Sequence, residues 1–581
     1  MTTIWGLIDS VKWLTSYQAA IIWFCLLTLG VNAFSIRSRW RVLDFVPLGG
    51  LIAALLGYAS GDATLPSLVL YGLTLILFLG TMRRLWKRPD TIALAAAREK
   101  KRRVWTVLRM LGVLCGVLPI LLVLAVAGEM RYNAETDFSR MTYSDAFKRM
   151  HERLEREYPF GEWKGIDWET MQAEYESRFA EADRLKDSKR YYLALRDYLH
   201  EFRDGHIEIE NDELFENNAV FREEAGGGFG LSALRLDDGS VRVSLLLKDG
   251  EAERAGIRLG AELLRWNGEN AEDVYARASW ADIPPSTSDV ERENQGRFMV
   301  RASIGQTIEV EYRNEGGSKS RTVTLTAYDD EYETLKQTRK KLTPADLEKP
   351  SIEWRMLDNG YGYVKVKVFL ATDRYPKPLK LLEQAIQSFS EEDAKGVILD
   401  LRNNPGGEDE LAASVAGYFA DSPMHYEQVS YYNRFTSSFA LNRMETIHVE
   451  PADARYDGKL AVLINGRTAS SAEGVPMALK GQANVRIVGF SSTSGSFGVM
   501  SSPIRIFMPG GYELIFPDGR SLNEQGMIQL ESTGDGNGGV APDVRIPLNA
   551  ETFAEAYVHG RDMELDAAVQ ALDALDVLNA P

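Results

Sequence analysis

The sequence contains very little cysteine. Its two cysteines, Cys25 and Cys115, lie in the apolar N-terminal part of a chain of 581 residues. The polar remainder therefore has no thiol, which excludes disulfides, cysteine metal sites and a cysteine nucleophile from it. Histidine is also scarce, and no cluster of His, Cys and acidic residues has the spacing of a metal site. We therefore predict no cofactor and no bound metal.

Basic residues are in deficit over most of the chain. The formal net charge is −17, and the first 130 residues carry about +8 whereas the remainder carries about −25. A surface that binds nucleic acid needs a basic footprint, so we exclude nucleic acid as a partner. The length is too great for a single core and predicts several domains.

Four long apolar runs stand out in the first 130 residues. They span about Tyr17–Phe34, Phe45–Ala59, Ser67–Met82 and Leu108–Gly128. Single short runs are often buried core helices, but four in succession between charged loops predict a transmembrane region over residues 1–130. Basic residues fill the loops after the first and third runs, which places the polar remainder outside the cytoplasm. We therefore expect a multi-pass protein of the cell membrane, with the large polar part in the periplasm if the cell is Gram-negative.

The polar part begins with a helical pattern. Apolar residues recur three and four positions apart from about Thr136 to His200, and the alternating HIEIE predicts a short strand after them. We place a helical subdomain at residues 135–222. We also expect a C-terminal helix over residues 551–581.

Residues 225–328 alternate short strands with glycine turns. The order of strands, turns and the short helix EAERAG resembles a PDZ domain, which takes an extended peptide as an added strand. The resemblance assigns carboxylate binding to the GGGFGL loop, and a purely structural glycine turn is the alternative. The loop residues concerned are Gly228, Phe229, Gly230 and Leu231. Whether such a domain binds substrate or regulates the rest stays open.

Residues 350–550 alternate strands with helices, and the continuous apolar strand GVILDL predicts a right-handed parallel crossover. The stretch NGRTASSAE, residues 465–473, follows the strand KLAVLING and precedes a helix-like run. Hydroxyls at a helix N-terminus are common caps. Nucleophiles and anion sites also lie at the carboxyl ends of parallel strands, so the stretch alone leaves both roles open.

Four motifs stand in a fixed order along the chain. They are FRDGH at 202–206, LDLRNNPGG at 399–407, NGRTASSAE at 465–473 and GGVAPDVRIP at 538–547. With the PDZ-like insert they resemble the S41 family of serine peptidases, the C-terminal processing and tricorn-type proteases. The fold class that this implies is multidomain: an N-terminal α-helical transmembrane bundle, a helical subdomain, a PDZ-like β-rich domain and an α/β protease core of the ClpP/crotonase type.

The resemblance implies that Ser470 is the nucleophile, with Ser471 as the adjacent competitor. A serine at a strand-to-helix turn exposes its oxygen, and the helix N-terminus favours developing negative charge. The resemblance also assigns the oxyanion hole to Gly406 and Gly407, together with the amide of Ser471. Pro476 lies shortly after the serine, which predicts a helix that starts late or kinks.

One branch of the family uses a Ser–Lys dyad. Here Ser496 falls within a residue of the position where that lysine would stand. Lys480 is the only lysine after Ser470, and ten helical residues would put it roughly 15 Å away. A dyad is therefore excluded unless the lysine comes from earlier in the chain or from another subunit.

The tricorn-type branch uses histidine as the base, and His206 in FRDGH matches that motif. Imidazole titrates near neutral pH, so it can accept the serine proton. The branch orients its histidine with a late glutamate. The candidates are Glu531 and, as runner-up, Glu524, although neither spacing matches well. The tricorn-type branch also has a serine next to its histidine, whereas Gly205 stands there in this sequence.

The leading hypothesis is a membrane-anchored serine endopeptidase that cleaves extracytoplasmic proteins or peptides through an acyl-enzyme, with a Ser–His site. The alternative is a catalytically silent membrane protein of the same fold that binds peptides or other ligands. A transport role for the apolar runs is a third hypothesis, which their few charges disfavour. The substrate, the cleavage specificity, the role of the membrane helices and the oligomeric state are not predicted.

Overall fold

A computed structural model describes residues 135–210, 218–339, 346, 348–371, 377–433 and 437–578. The chain divides into two compact units, Met1–Glu135 and Thr136–Pro581, and the description below concerns the second. Its helices carry charged faces; the longest, Trp168–Leu185, has 18 residues with acidic and basic side chains along its length.

The predicted fold class needs correction. None of the helices in the described residues is both long enough and apolar enough to cross a membrane. The described chain is a mixed α/β protein, and the transmembrane bundle is not part of it. The four predicted spans lie outside the described residues. The extracytoplasmic location was inferred from basic loops in the same stretch and stays a prediction.

The N-terminal part of the described chain is helical, as the apolar spacing predicts. The side chains of Thr142, Asp167 and Asp187 cap its three helices by accepting hydrogen bonds from the amides three positions on. The elements are β1 (Glu135–Asp137), α1 (Tyr143–Glu157), α2 (Trp168–Leu185), α3 (Ser188–His200) and β2 (Glu208–Ile209). The predicted strand in HIEIE is confirmed as β2.

The next part holds the short strands of the PDZ-like segment. Its elements are α4 (Ala219–Ala225), β3 (Gly227–Gly228), β4 (Leu231–Arg235), β5 (Val241–Leu246), α5 (Glu251–Arg254), β6 (Glu262–Trp266), β7 (Glu269–Asn270), α6 (Ala271–Ala276), α7 (Ser288–Phe298), β8 (Arg301–Ala302), β9 (Thr307–Arg313), β10 (Arg321–Thr326) and α8 (Glu333–Thr338). The main sheet has the order β10-β9-β6-β5-β4. Helix α7 lies against the outer strand β4, where a Cβ on Gly296 would stand 2.0 Å from the Ala233 carbonyl oxygen.

The C-terminal part contains the largest sheet, whose order is β11-β12-β13-β16-β17-β21. All neighbours from β12 to β21 are parallel, so the predicted parallel arrangement is confirmed. The right-handed sense of the crossover stays a prediction. The elements are β11 (Ile352–Met356), β12 (Gly362–Val366), α9 (Pro378–Glu391), β13 (Val397–Asp400), α10 (Asp409–Gly417), β14 (Met424–Asn433), β15 (Ser438–Val449), β16 (Leu460–Leu463), α11 (Ser471–Leu479), β17 (Val485–Gly489), β18 (Ile504–Phe507), β19 (Glu513–Phe516), β20 (Gly519–Leu522), β21 (Val544–Arg545), α12 (Ala550–Phe553) and α13 (Met563–Leu578).

The central strands are buried on both faces, which explains their continuous apolar runs. Leu399 and Val462 face a cluster that includes residues of α9, α10 and α11. Ile398 and Leu463 face the opposite way, toward Leu572 and other residues of α13. The strands β13 and β16 therefore form the middle layer of an α/β/α sandwich, and their carboxyl ends lie side by side.

A second sheet joins the helical part to the core. Its order is β1-β18-β19-β2, so β2 pairs with a hairpin that comes some 300 residues later in the chain. Leu514 of β19 lies opposite Ile209 of β2. This pairing anchors the chain directly after the FRDGH motif to the C-terminal part.

Candidate active site

Ser470 stands at the turn between β16 and α11. Its backbone has φ 55° and ψ −137°, and it is the N-cap of α11. A non-glycine residue in this region carries a strain of about 1–3 kcal/mol, so surrounding contacts have to hold it. The Ser470 amide donates to the Ser496 carbonyl at 3.0 Å and to Glu473 Oε1 at 3.2 Å. The helix begins at Ser471 with Pro476 inside it, so the expectation of a late start was wrong.

The structure separates Ser470 from its competitor Ser471. The Ser471 side chain is buried, and its hydroxyl has no hydrogen-bond partner among the described residues. Ser470 is only half-buried. Of the two hydroxyls, only that of Ser470 is placed where a substrate carbonyl has access.

The glycine pair of LDLRNNPGG lies directly beside Ser470. Gly406 has φ 101°, and a Cβ there would stand 2.6 Å from the Ser470 Cβ. Gly407 has φ 139° and is exposed. Asn404 of the same motif connects it to NGRTASSAE, because its carbonyl accepts from the Ala469 amide at 3.0 Å. The motifs after β13 and β16 therefore meet at one edge of the sheet.

The amides of this edge divide into used and unused donors. The Gly406 amide donates to Asn404 Oδ1 at 2.9 Å, so it is not a free donor, and its assignment to the oxyanion hole stays a prediction that this bond disfavours. Within the described residues, the amides of Gly407 and Ser471 donate to no acceptor. Two backbone donors beside a hydroxyl suit the stabilisation of an oxyanion, so these two amides remain the candidates.

Glu473 is a site residue that the sequence reasoning missed. Its carboxylate is fully buried and accepts hydrogen bonds from the amides of Ser470, Gly495 and Ser496 and from the Thr493 hydroxyl. Burial raises the pKa of Glu473 to about 7, although each of these four bonds lowers it. The spacing Ser470-x-x-Glu473 is that of a capping box, which was the available signal.

His206 lies in a tight loop next to this region. Its amide donates to Asp204 Oδ1 at 2.8 Å, and Asp204 Oδ2 accepts from the Tyr158 hydroxyl at 2.7 Å. A Cβ on Gly205 would stand 2.5 Å from the Ser496 Oγ, so the loop rests on the residue whose carbonyl holds the Ser470 amide. The DGH loop, residues 204–206, is thereby brought to the nucleophile region.

The imidazole of His206 makes no hydrogen bond to Ser470 or to any other described residue, and its Nδ1 is buried without a partner. Burial lowers the pKa of His206, Asp204 opposes this shift, and Lys164 adds to it. A neutral imidazole is the form that can accept a proton. The ring therefore has the protonation state of a base, without the bond that would orient it.

Glu531 makes no hydrogen bond to His206 among the described residues, so its predicted orienting role stays a prediction. Its Oε1 accepts from Lys164 Nζ at 2.8 Å and its Oε2 accepts from the Phe497 amide at 3.0 Å. Both oxygens are therefore engaged elsewhere. The runner-up, Glu524, is exposed in a turn after β20.

Lys480 and Ser496, the two residues considered for a Ser–Lys dyad, both have partners other than the Ser470 hydroxyl. Lys480 Nζ donates to the Ala541 carbonyl and lies 3.6 Å from Asp543, so it makes no contact with Ser470. Ser496 is buried, and its hydroxyl lies 3.1 Å from that of Ser494. Within the described part of the chain, no group of His, Cys, Asp and Glu is arranged to hold a metal ion.

The PDZ-like loop is a packed turn, and the binding role predicted for Gly228, Phe229, Gly230 and Leu231 stays a prediction. All four residues are buried. The Gly228 amide and carbonyl both pair with Tyr328, and a Cβ on Gly228 would meet the side chains of Arg301 and Asp330. The alternative of a structural glycine turn fits this geometry better.

Residues 360–546 match peptidase family S41. The carboxy-terminal processing protease CtpA of Bacillus subtilis (strain 168) is 25% identical over 252 residues, which are 43% of this chain and 44% of that protein. A probable CtpA-like serine protease of Staphylococcus haemolyticus is 22% identical over 315 residues, 53% of each chain. The chain thus spans about half the length of the curated relatives that it matches.

Among solved structures, mature CPAF complexed with lactacystin has the same fold. It is 15% identical to this chain, covers 74% of it and 99% of its own length, and gives a TM-score of 0.52. The chain is therefore similar to serine-type peptidases, over residues 360–546 to family S41 and over about half of its length to CtpA-like proteins.

Proposed function

We propose that this chain is a serine endopeptidase in which Ser470 is the nucleophile and His206 the general base. The observation that carries the proposal is the strained Ser470 turn with Gly406 against it, where a Cβ on Gly406 would stand 2.6 Å from the Ser470 Cβ. Only glycine permits such an approach, and strained serines beside free amides are typical of acyl-transfer sites.

The proposed reaction proceeds through an acyl-enzyme. Ser470 Oγ attacks the carbonyl carbon of a peptide bond while His206 takes its proton, and the amides of Gly407 and Ser471 hold the negative oxygen. His206 then gives the proton to the leaving amine, which breaks the C–N bond. Water, deprotonated by the same imidazole, cleaves the ester and restores the serine.

The substrate class is a polypeptide. The names of the relatives describe processing at carboxyl termini, which supports this class for the present chain. The sequence to be cleaved is not part of the proposal.

A catalytically silent binding protein is the second candidate. It is favoured by one observation, the lack of a hydrogen bond between the His206 ring and any described residue. Imidazole hydrogen bonds are often loose before substrate binds, so this does not exclude catalysis.

A fluorophosphonate probe separates the two candidates. We expect covalent labelling of the full chain, its loss in Ser470→Ala and its retention in Ser414→Ala, a matched hydroxyl deletion on α10 whose Oγ only contacts the Glu410 carbonyl. Equal labelling of the Ser470→Ala variant and the unaltered chain, or no labelling of either, would refute the proposal.

A further inference from the structure

Lys164 forms a buried ion pair with Glu531 near the candidate site. Its side chain is 1% exposed and that of Glu531 is 0% exposed. The ammonium lies 2.8 Å from Glu531 Oε1, 2.9 Å from the Arg203 carbonyl, and 2.9 Å and 2.7 Å from the carbonyl and hydroxyl of Ser532. A buried ammonium is costly unless it is paired and hydrogen-bonded, and this one is fully satisfied.

The Arg203 carbonyl is the point where Lys164 reaches the DGH loop. Arg203 directly precedes Asp204 and has φ 46°, a left-handed conformation that non-glycine residues rarely adopt. Its carbonyl accepts from Lys164 Nζ at 2.9 Å and from the Ser532 hydroxyl at 2.7 Å. Such strain persists only where neighbours fix it, and these two donors provide that fixation.

Glu531 extends the same contact to the nucleophile. Its second oxygen accepts from the Phe497 amide at 3.0 Å, and the preceding residue, Ser496, accepts from the Ser470 amide through its carbonyl at 3.0 Å. Lys164 is thus connected to the loop of the base through Arg203 and to the turn of the nucleophile through Glu531 and Phe497.

We propose that Lys164 is a positioning residue, which holds the loop of His206 and the turn of Ser470 in register through one buried ion pair with Glu531. The inference rests on the proposed function, because it assigns Lys164 a role in the same reaction. Lys164 contacts neither the imidazole nor the Ser470 hydroxyl, so its effect on the reaction is indirect.

The positive charge of Lys164 also affects the pKa of His206. Burial lowers the pKa of His206, Asp204 opposes the shift and the Lys164 ammonium adds to it. Glu531 is a second buried acid, in contact with Lys164, and burial raises the pKa of Glu531 whereas Lys164 lowers it. The titratable and charged groups around the loop are Asp204 within it, Tyr158 and Lys164 from the segment after α1, Arg203 with its partner Glu291 of α7, and Glu531. Without the Lys164 ammonium, only burial lowers the pKa of His206 and Asp204 still raises it, so this pKa should be higher than in the unaltered chain.

The test is Lys164→Met in the full chain, measured as the second-order rate of fluorophosphonate labelling between pH 5 and pH 9. A shift of about 1 Å between reacting groups can cost about 100-fold, so we expect a loss of that order in folded protein. The acid limb of the pH profile should move to higher pH, which a merely structural loss of folded protein would not cause. The matched control is Lys148→Met, which removes an exposed lysine that pairs with Glu176 on the helical face. Its rate and profile should equal those of the unaltered chain.

A second variant keeps the test decisive if Lys164→Met does not fold, as circular dichroism would reveal. Ser532→Ala removes one donor to the Arg203 carbonyl and leaves the ion pair in place. We expect folded protein with about a tenfold lower labelling rate, the scale of one lost hydrogen bond. A folded Lys164→Met variant with the rate and pH profile of the unaltered chain overturns the inference, as does an unchanged Ser532→Ala rate.

The two proposals fail in different ways. If Ser470-dependent labelling is absent from the unaltered chain, the proposed function fails, and the role of Lys164 with it. If that labelling is present and Lys164→Met does not alter it, only the positioning role is refuted.

Discussion

The nucleophile side and the base side of the site are held in different ways. Ser470 and Gly407 follow adjacent parallel strands, and short hydrogen bonds such as Ala469 amide to Asn404 carbonyl join their loops directly. His206 comes from the helical part and reaches the core through β2, Tyr158 and Lys164. The geometry of the nucleophile is thus a property of one sheet, whereas that of the base depends on how two parts of the chain dock. Substitutions on the nucleophile side should therefore lower activity by distorting the Ser470 turn. Substitutions on the base side should lower it by loosening the DGH loop or by changing the charge around His206.

The largest effect is expected from Gly406→Ala on the nucleophile side. The added methyl group would stand 2.6 Å from the Ser470 Cβ and 2.8 Å from the Ala469 carbonyl oxygen, both anchored to the backbone. The nucleophile must move away from the oxyanion donors, which are worth about 100–1,000-fold in rate. We expect labelling to fall by about 1,000-fold.

Gly481→Ala is the matched control for this change. Gly481 has φ 90°, similar to the 101° of Gly406, but nothing lies within 4 Å of a Cβ built there. Both variants carry the penalty of a positive φ, about 1–2 kcal/mol in the free energy of unfolding. Only Gly406→Ala should lose labelling, and a similar loss in both would contradict the steric explanation.

Glu473→Gln should have the next largest effect. The amide is nearly isosteric, but its nitrogen cannot accept, so at least one of the buried amides of Ser470, Gly495 and Ser496 loses its partner. An unpaired buried donor costs about 1–3 kcal/mol. We expect thermal unfolding to report that loss and labelling to fall about 100-fold, because the Ser470 turn relaxes. The control Glu391→Gln changes an exposed carboxylate on α9 and should alter neither quantity.

The features that depend on short stretches of sequence could be predicted. The strand-to-helix turn at Ser470 and the parallel strands around it follow from apolar runs and motif order, and the structure has them. Glu473 was equally readable as a capping box and was overlooked. The common feature of these residues is that their partners are close in sequence or lie on adjacent strands.

The hydrogen-bond partners of Glu531 could not be predicted from the sequence. Its ammonium partner Lys164 lies 367 positions away, and no periodicity connects the two. The buried state of the Gly228 loop likewise depends on Arg301 and Tyr328, which the chain brings in from later strands. Sequence identified the residue types of the site, but which carboxylate meets which cation was decided by tertiary packing.

A smaller effect is expected from Tyr158→Phe on the base side. The change removes only the hydroxyl that donates to Asp204 at 2.7 Å, while the ring keeps its buried contacts. A hydrogen bond to a buried carboxylate is worth about 1.5–3 kcal/mol, so unfolding should become easier by about 2 kcal/mol. The DGH loop loosens, and labelling should fall about tenfold. Tyr175→Phe also removes a tyrosine–carboxylate bond, to Glu201 at 3.0 Å, but away from the loop, and should leave labelling unchanged.

The smallest effect concerns the pH dependence of the unaltered chain. Burial holds the pKa of His206 below the ordinary value of 6.5, so the imidazole stays neutral to a lower pH than a free one. The base must be neutral to accept the Ser470 proton, so the acid limb of the labelling rate should fall below pH 6.5. The stability of the fold should depend on pH in the same direction. The buried neutral imidazole contributes its full stability above the unfolded-state pKa of 6.5, and this contribution is lost as the pH falls from 6.5 through the lower pKa of the folded state. Between pH 7.5 and pH 6.5 the rate should thus change by less than about twofold. A limb at or above pH 6.5 would mean that burial does not dominate the pKa of His206. The contrast between a preset nucleophile and a docked, buried base would then fail on the base side alone.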